Sequence, residues 1–240
     1  RLDTLGVDRV AVAVDPNHTT GTVSVELSDT GQPSYVIHEN VAWDHIPASE
    51  TMLTSAVRAD AVCFGTLAQR SEESRRTIQQ FLASTRHTCL KVFDINLPQH
   101  FYSTGIIETS LQHSNVLKLN DEELPVVSDA LHLHGNRDAL LPALIEKYQL
   151  RLIVLTCGSE GSLLQTSDES SFCKPQPVDV VDTVGAGDSF AAAVTVGLLN
   201  GLDLKTLHRH ADAVARYVCS QPGATSELPP ELTKPSLSEE

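Results

Sequence analysis

A chain of 240 residues, 41% of them hydrophobic, can bury one sizeable core and is short for two comfortable domains. A formal net charge of −14 excludes nucleic acid and anionic membrane as main partners, although a few local amides or cations can hold a phosphate inside an acidic protein. No apolar run approaches the roughly 20 residues of a membrane-crossing helix, and the opening stretch RLDTLGVDRV lacks the apolar centre of a signal peptide, so a cytoplasmic protein is expected.

In chain order, residues 1–45 hold three short β-branched stretches, 9–14, 21–27 and 33–38, separated by turn signals such as Asp15-Pro16-Asn17 and Asp29-Thr30-Gly31. They predict a small antiparallel β element of its own. From about residue 50 the rhythm changes. Strands are expected at 60–65, 90–96, 115–120 and 151–156, with amphipathic helices at 70–84, 104–113, 121–133 and 138–149. That alternation implies βαβ units and a parallel sheet covered on both faces, an α/β domain over 46–225. A hairpin should follow, from 161–166 to a strand near 178–182, then helices at 186–200 and 203–219. The Pro- and Glu-rich end, 226–240, reads as a flexible tail.

The cysteines, Cys63, Cys89, Cys157, Cys173 and Cys219, are odd in number and scattered, with no CxxC; they read as reduced thiols. His132 and His134 have no Cys or carboxylate at metal-ligand spacing and read as a solvated loop. Ligands of an open parallel sheet sit at the carboxyl ends of its strands. There the polar or small residues are Gly65, Asp94, Asn96, Asn120 and Thr156.

The segment 180–201 carries the most chemistry. A short extended stretch runs into Gly185-Ala186-Gly187, and an Ala-rich helix begins. Glycines at such a junction let several N–H groups converge at a helix N-terminus and form an anion hole. Asp188 falls on the first helical turn beside it. A carboxylate there repels a phosphate, unless its task is to take a proton from an attacking hydroxyl. A dinucleotide-binding reading fails, because Phe190 stands where a third small residue is needed. Asn120 and Glu123 have capping-box spacing. Thr156, Gly158 and Gly161 fit a turn between a strand and a hairpin.

DTVGAGDSF (182–190) and the helix after it resemble the second signature of the pfkB carbohydrate kinases. The resemblance implies a ribokinase-like fold, a mostly parallel sheet flanked by helices with a small β-sheet lid over residues 1–45. It implies an ATP-dependent sugar kinase in which Asp188 is the catalytic base and Gly185, Ala186 and Gly187 form the anion hole. KLNDEEL (118–124) is similar to the family's Asn-x-x-Glu element, which makes Asn120 and Glu123 phosphate- and Mg²⁺-organising residues, Glu123 through water. TCGSEGSLL (156–164) resembles its nucleotide segment, with Thr156, Gly158 and Gly161 binding ATP. FDIN (93–96) resembles its Asp-x-Asn, bringing Asn96 to the phosphates, although Pro98 stands where many members carry arginine. Asp182 matches a monovalent-cation position, K⁺ being the candidate, and Asp212 replaces an Asn often found near adenine. The lid implies a homodimer. CFGTLAQRS and HENVAWDHI look most like fructokinase-type members, so fructose is the favoured acceptor. The alternatives are a nucleoside or sugar acid as acceptor, or a kinase-fold module that binds nucleotide or a partner without catalysis. The family's leading part, about 60–70 residues with a sugar-binding Asp and a Gly-Gly-x-x-x-Asn motif, is expected to precede residue 1.

Overall fold

The computed structural model describes residues 2–27, 33–174 and 176–233. They form two compact units, residues 1–59 with 66–87, and residues 60–65 with 88–240.

In the first unit β1 (Val23–Leu27) and β2 (Pro33–Ile37) form an antiparallel pair with Val23 opposite Ile37. The turn expected at Asp29-Thr30-Gly31 lies outside the described residues. The strand expected at 9–14 does not form. Residues 9–12 close a turn through Val12 N–H and the Arg9 carbonyl, and Val10, Val12 and Val14 stay exposed with no ladder partner among the described residues. Helix α1 (Glu50–Arg58) starts where Ser49 Oγ accepts the Met52 amide at 3.1 Å, an N-cap. Helix α2 (Glu72–Ser84) follows. The Arg70 guanidinium reaches Asp44 with both prongs, at 2.7 and 2.8 Å, and both side chains are buried.

The second unit is a six-stranded sheet in the order β3 (Ala61–Phe64), β4 (Leu90–Asp94), β5 (Val116–Asn120), β6 (Leu152–Thr156), β7 (Ser162–Gln165) and β8 (Ser170–Cys173). Pairs from β3 to β6 are parallel and the last two are antiparallel. Helices α3 (Thr104–His113), α4 (Glu123–Ala130) and α5 (Arg137–Tyr148) lie between the parallel strands in sequence. After β8 come α6 (Ala186–Leu199), α7 (Leu204–Cys219) and the short α8 (Pro230–Thr233). Period-two alternation divides the core between the faces. Phe93, Leu117, Leu119, Ile153 and Leu155 pack with Ile107, Leu111, Val127 and Leu141. Val92, Val116, Leu152 and Val154 pack with Phe190, Val194, Leu207 and Val214. Each such side chain contributes about 1.5–3 kcal/mol when fully buried, so both helical layers are anchored.

The second arm of the hairpin is β8, not a strand near 178–182. The Thr166 hydroxyl accepts the amides of Asp168 and Glu169, and this tight turn pairs the next residues with β7 at once. Val180 and Val181 stay exposed, and the amides of Val181 and Asp182 bond instead to the Cys219 carbonyl. Among the described residues no helix is long and apolar enough to cross a membrane.

Candidate active site

The turn from Asp182 into α6 is fixed by backbone geometry. Asp182 Oδ1 accepts the Val184 amide at 2.9 Å, and Oδ2 accepts the Gly223 amide at 3.1 Å, tying the turn to the loop after α7. Gly185 has φ 84°, and a Cβ there would lie 2.6 Å from the Ala224 carbonyl oxygen. Only glycine meets both conditions. The Ala186 amide is turned onto the Thr183 carbonyl at 3.2 Å. The amides of Gly187 and Asp188 have no acceptor among the described residues. Two N–H groups at the positive end of α6 are therefore open, and the exposed Asp188 is one of the two residues that carry them.

The neighbouring strand ends bring a second group of residues to this edge. Asp94 and Lys118 are cross-strand partners in register, and Lys118 Nζ donates to Asp94 Oδ1 at 2.7 Å. Burial pushes the Asp94 carboxyl above its ordinary range, Lys118 opposes this, and the nearby Asp188 charge adds to it. Lys118 Nζ lies 3.4 Å from where a Cβ on Gly187 would be. The ammonium is thus close to the start of α6. The sequence reading missed Lys118. Its visible signal was a lysine inside the otherwise apolar run NVLKLN.

Asn120 and Glu123 do form a reciprocal box. Asn120 Oδ1 accepts the amides of Glu122 and Glu123, at 2.9 and 2.8 Å, and Glu123 Oε2 accepts the Asn120 amide at 2.8 Å. Glu123 Oε1 also accepts the Leu97 amide at 3.2 Å, so this carboxylate clamps the loop after β4. Burial raises the Glu123 pKa, opposed by the two amides and by Lys118. Asn120 is in register with Thr156, whose carbonyl accepts the Asp121 amide at 3.0 Å. Gly158 and Gly161 have φ 52° and 111°, and a Cβ on Gly161 would collide with the Cys173 carbonyl. Gly161 is therefore required by the turn itself, whatever else it does, and the φ of Gly158 favours glycine. A cavity of about 750 Å³ opens beside this turn, lined in part by Asp121, Ser128, His134, Arg137 and Glu160.

Two other candidates are Asn96 and Asp212. Asn96 is exposed with φ 40°. Asp212 is paired with Arg216 at 3.2 Å, while burial raises its carboxyl pKa. No cluster of three or more metal-ligating side chains occurs among the described residues.

The profile of the pfkB family carbohydrate kinases matches residues 1–231. An uncharacterised sugar kinase of Pyrococcus horikoshii is 27% identical over 228 residues, 92% of this chain and 69% of that protein. Its structure in complex with ATP superposes with a TM-score of 0.77 at 25% identity, over 93% of this chain and 71% of that one. The fructokinase of Escherichia coli is 28% identical over 240 residues, covering 95% of this chain and 76% of the enzyme. A 5-dehydro-2-deoxygluconokinase of Halalkalibacterium halodurans is 25% identical over 235 residues, 94% of this chain and 70% of that protein. The fold is ribokinase-like. From the signature turn, the sheet order and these likenesses together, the chain belongs to the pfkB family of carbohydrate kinases.

Proposed function

We propose that the protein transfers the γ-phosphoryl group of ATP to a hydroxyl of a sugar, with fructose the favoured acceptor. The observation that carries this reading is the turn at 185–188, two open amides and a carboxylate at one helix N-terminus. The sugar hydroxyl gives its proton to Asp188 as its oxygen bonds to phosphorus. The bond from phosphorus to the β-phosphate oxygen breaks, and ADP leaves with that electron pair. The amides of Gly187 and Asp188 face the charge that spreads over the transferred group, the main catalytic contribution expected for this chemistry.

Asn120, Thr156 and the Gly158–Gly161 turn bind nucleotide in this reading, and Asn96 approaches the phosphates. Mg²⁺ fits as an ion carried by the nucleotide, since it needs only one or two protein carboxylates and keeps several waters. Both Glu123 oxygens already accept amides, so Glu123 acts on it through water. Bound there, Mg²⁺ would offset phosphate charge. Asp182 keeps lone pairs for a monovalent cation beside its two amide bonds. The five thiols, unpaired in the structure, fit a reducing compartment.

The test is a panel of fructose, other hexoses, a nucleoside and a sugar acid, with ATP and the full-length protein, reading ADP release. Turnover fastest with a sugar supports the proposal. No turnover with any acceptor, together with measurable ATP binding, would instead favour a binding module.

Two further outcomes are expected. Glu123→Gln turns one acceptor oxygen into an amino group facing an amide N–H, so it should melt at lower temperature. A buried group left unsatisfied costs about 1–3 kcal/mol. It should also need more Mg²⁺ for half-maximal rate. A Mg²⁺ titration matching wild type would reduce Glu123 to a clamp. The second concerns assembly. Val23 and Val25 lie on one exposed face of a two-stranded sheet that is marginal alone. We expect light scattering of the full-length protein at micromolar concentration to give a homodimer; a stable monomer rules out assembly through this sheet.

A further inference from the structure

Lys118 occupies a position where an apolar residue would suit the core better. On β5 it shares a face with Val116, and its cross-strand neighbours are Asp94 and Val154, with Val92 next along β4 on that face. This is the face covered by α6. The side chain is 10% exposed. Lysine is seldom buried unless paired, and a buried ion pair is often no more stabilising than apolar residues of the same volume. Stability alone gives little reason for it.

The surroundings give another. The Asp94, Glu123 and Asp188 carboxylates all act electrostatically on this corner, and Lys118 faces the first two. A phosphate chain arriving at the α6 amides meets a net negative corner. The ammonium has three donors, of which one goes to Asp94. It lies close to Gly187, the residue whose free amide begins the anion hole, so that a Cβ at 187 would come within 3.4 Å of Nζ.

We propose that Lys118 is a catalytic residue, a cation that contacts the transferred phosphoryl group, and that Asp94 is the positioning residue that aims it. The proposal rests on the kinase reading above. Lys118 keeps its proton throughout; Asp188 takes the hydroxyl proton, and the electron pair of the broken P–O bond leaves on ADP. Lys118 offsets the charge on the oxygens of the group in transit.

Calorimetry with ADP and with the non-hydrolysable analogue AMP-PNP, each with Mg²⁺, separates this from a structural ion pair. Lys118→Met should bind ADP within about threefold of wild type and AMP-PNP about tenfold or more weakly, as expected for a lost charge-assisted hydrogen bond. Lys118→Arg should recover much of the difference. If Lys118→Met fails to fold, the double variant Asp94→Asn/Lys118→Met leaves no charge unpaired and carries the same comparison. A variant that keeps the wild-type ratio of AMP-PNP to ADP affinity, while the wild type turns over, overturns the role of Lys118 alone. A wild type that binds neither nucleotide overturns the kinase reading with it.

Discussion

Replacing Asp188 by asparagine is expected to lower kcat by about 10²–10⁴-fold, the usual contribution of a positioned general base, with ATP affinity near that of the wild type. Asparagine has the same shape, so Gly185 can keep its φ of 84° and its approach to Ala224. The open amides at 187 and 188 belong to the backbone and survive the change. A first-turn carboxylate contributes only about 0.3–1 kcal/mol to its helix, so melting should shift little. Nucleotide binding could even tighten slightly, since a negative charge beside the phosphates is gone. Steady-state turnover and calorimetric ATP affinity decide the matter. A variant keeping more than about a tenth of wild-type kcat would remove Asp188 from the base role.

The largest pH effect on stability is expected from His208 on α7. The ring is 1% exposed, with Nε2 2.8 Å from Ser162 Oγ and Nδ1 2.9 Å from Ser171 Oγ, and it makes a T-shaped contact with Phe190. Both hydroxyls can rotate to accept or donate, so hydrogen bonding does not oppose the charged ring. Burial does, and it brings the pKa down from 6.5 to about 4. Asp212, one turn along, gives no relief because Arg216 holds it. Between these two pKa values the unfolded chain binds the proton and the folded chain does not, so stability falls as pH drops from 6.5 towards 4. The loss is about 3 kcal/mol at 1.36 kcal/mol per pKa unit. Above pH 6.5 both states are neutral and the effect vanishes. Urea unfolding of the wild type and of His208→Gln at pH 7, 5.5 and 4.5 tests this. The wild type should lose more stability than the variant on acidification; parallel losses would show that His208 is solvated or paired in the folded state.

What could be read from the amino acids was what local pattern controls. The apolar runs of β4, β5 and β6 and the helix at 104–113 stood where expected, because a two-sided core forces both faces of each strand to be apolar. GAGD was legible because Gly185 answers a backbone requirement that no other residue meets. Residues 9–14 and 178–182 misled for one shared reason: β-branched composition marks a segment fit for a sheet, but a strand also needs a partner. The stretch at 178–182 lost its partner to Ser170–Cys173, which the Thr166 turn delivers first. Lys118 was hidden because its meaning lies in two residues distant in sequence, Asp94 in register on β4 and Gly187 at the head of α6. The second task of Glu123, holding the Leu97 amide, was invisible for the same reason.

The order of the six strands has a consequence for biosynthesis. Because β3 to β8 lie side by side as they occur in the chain, each strand leaving the ribosome can dock on the one before it, and no gap in the sheet waits for a later segment. The far reach is made by α6, which returns to lie against β4 with Phe190 beside Val92. Asp188 heads that helix, so it cannot come near Asp94 and Lys118 until every strand of the sheet has been made and α6 packs against β4. In the proposed mechanism, a nascent chain still lacking α6 holds Lys118 and Asp94 without the proposed base Asp188, so a half-made sheet cannot transfer a phosphoryl group.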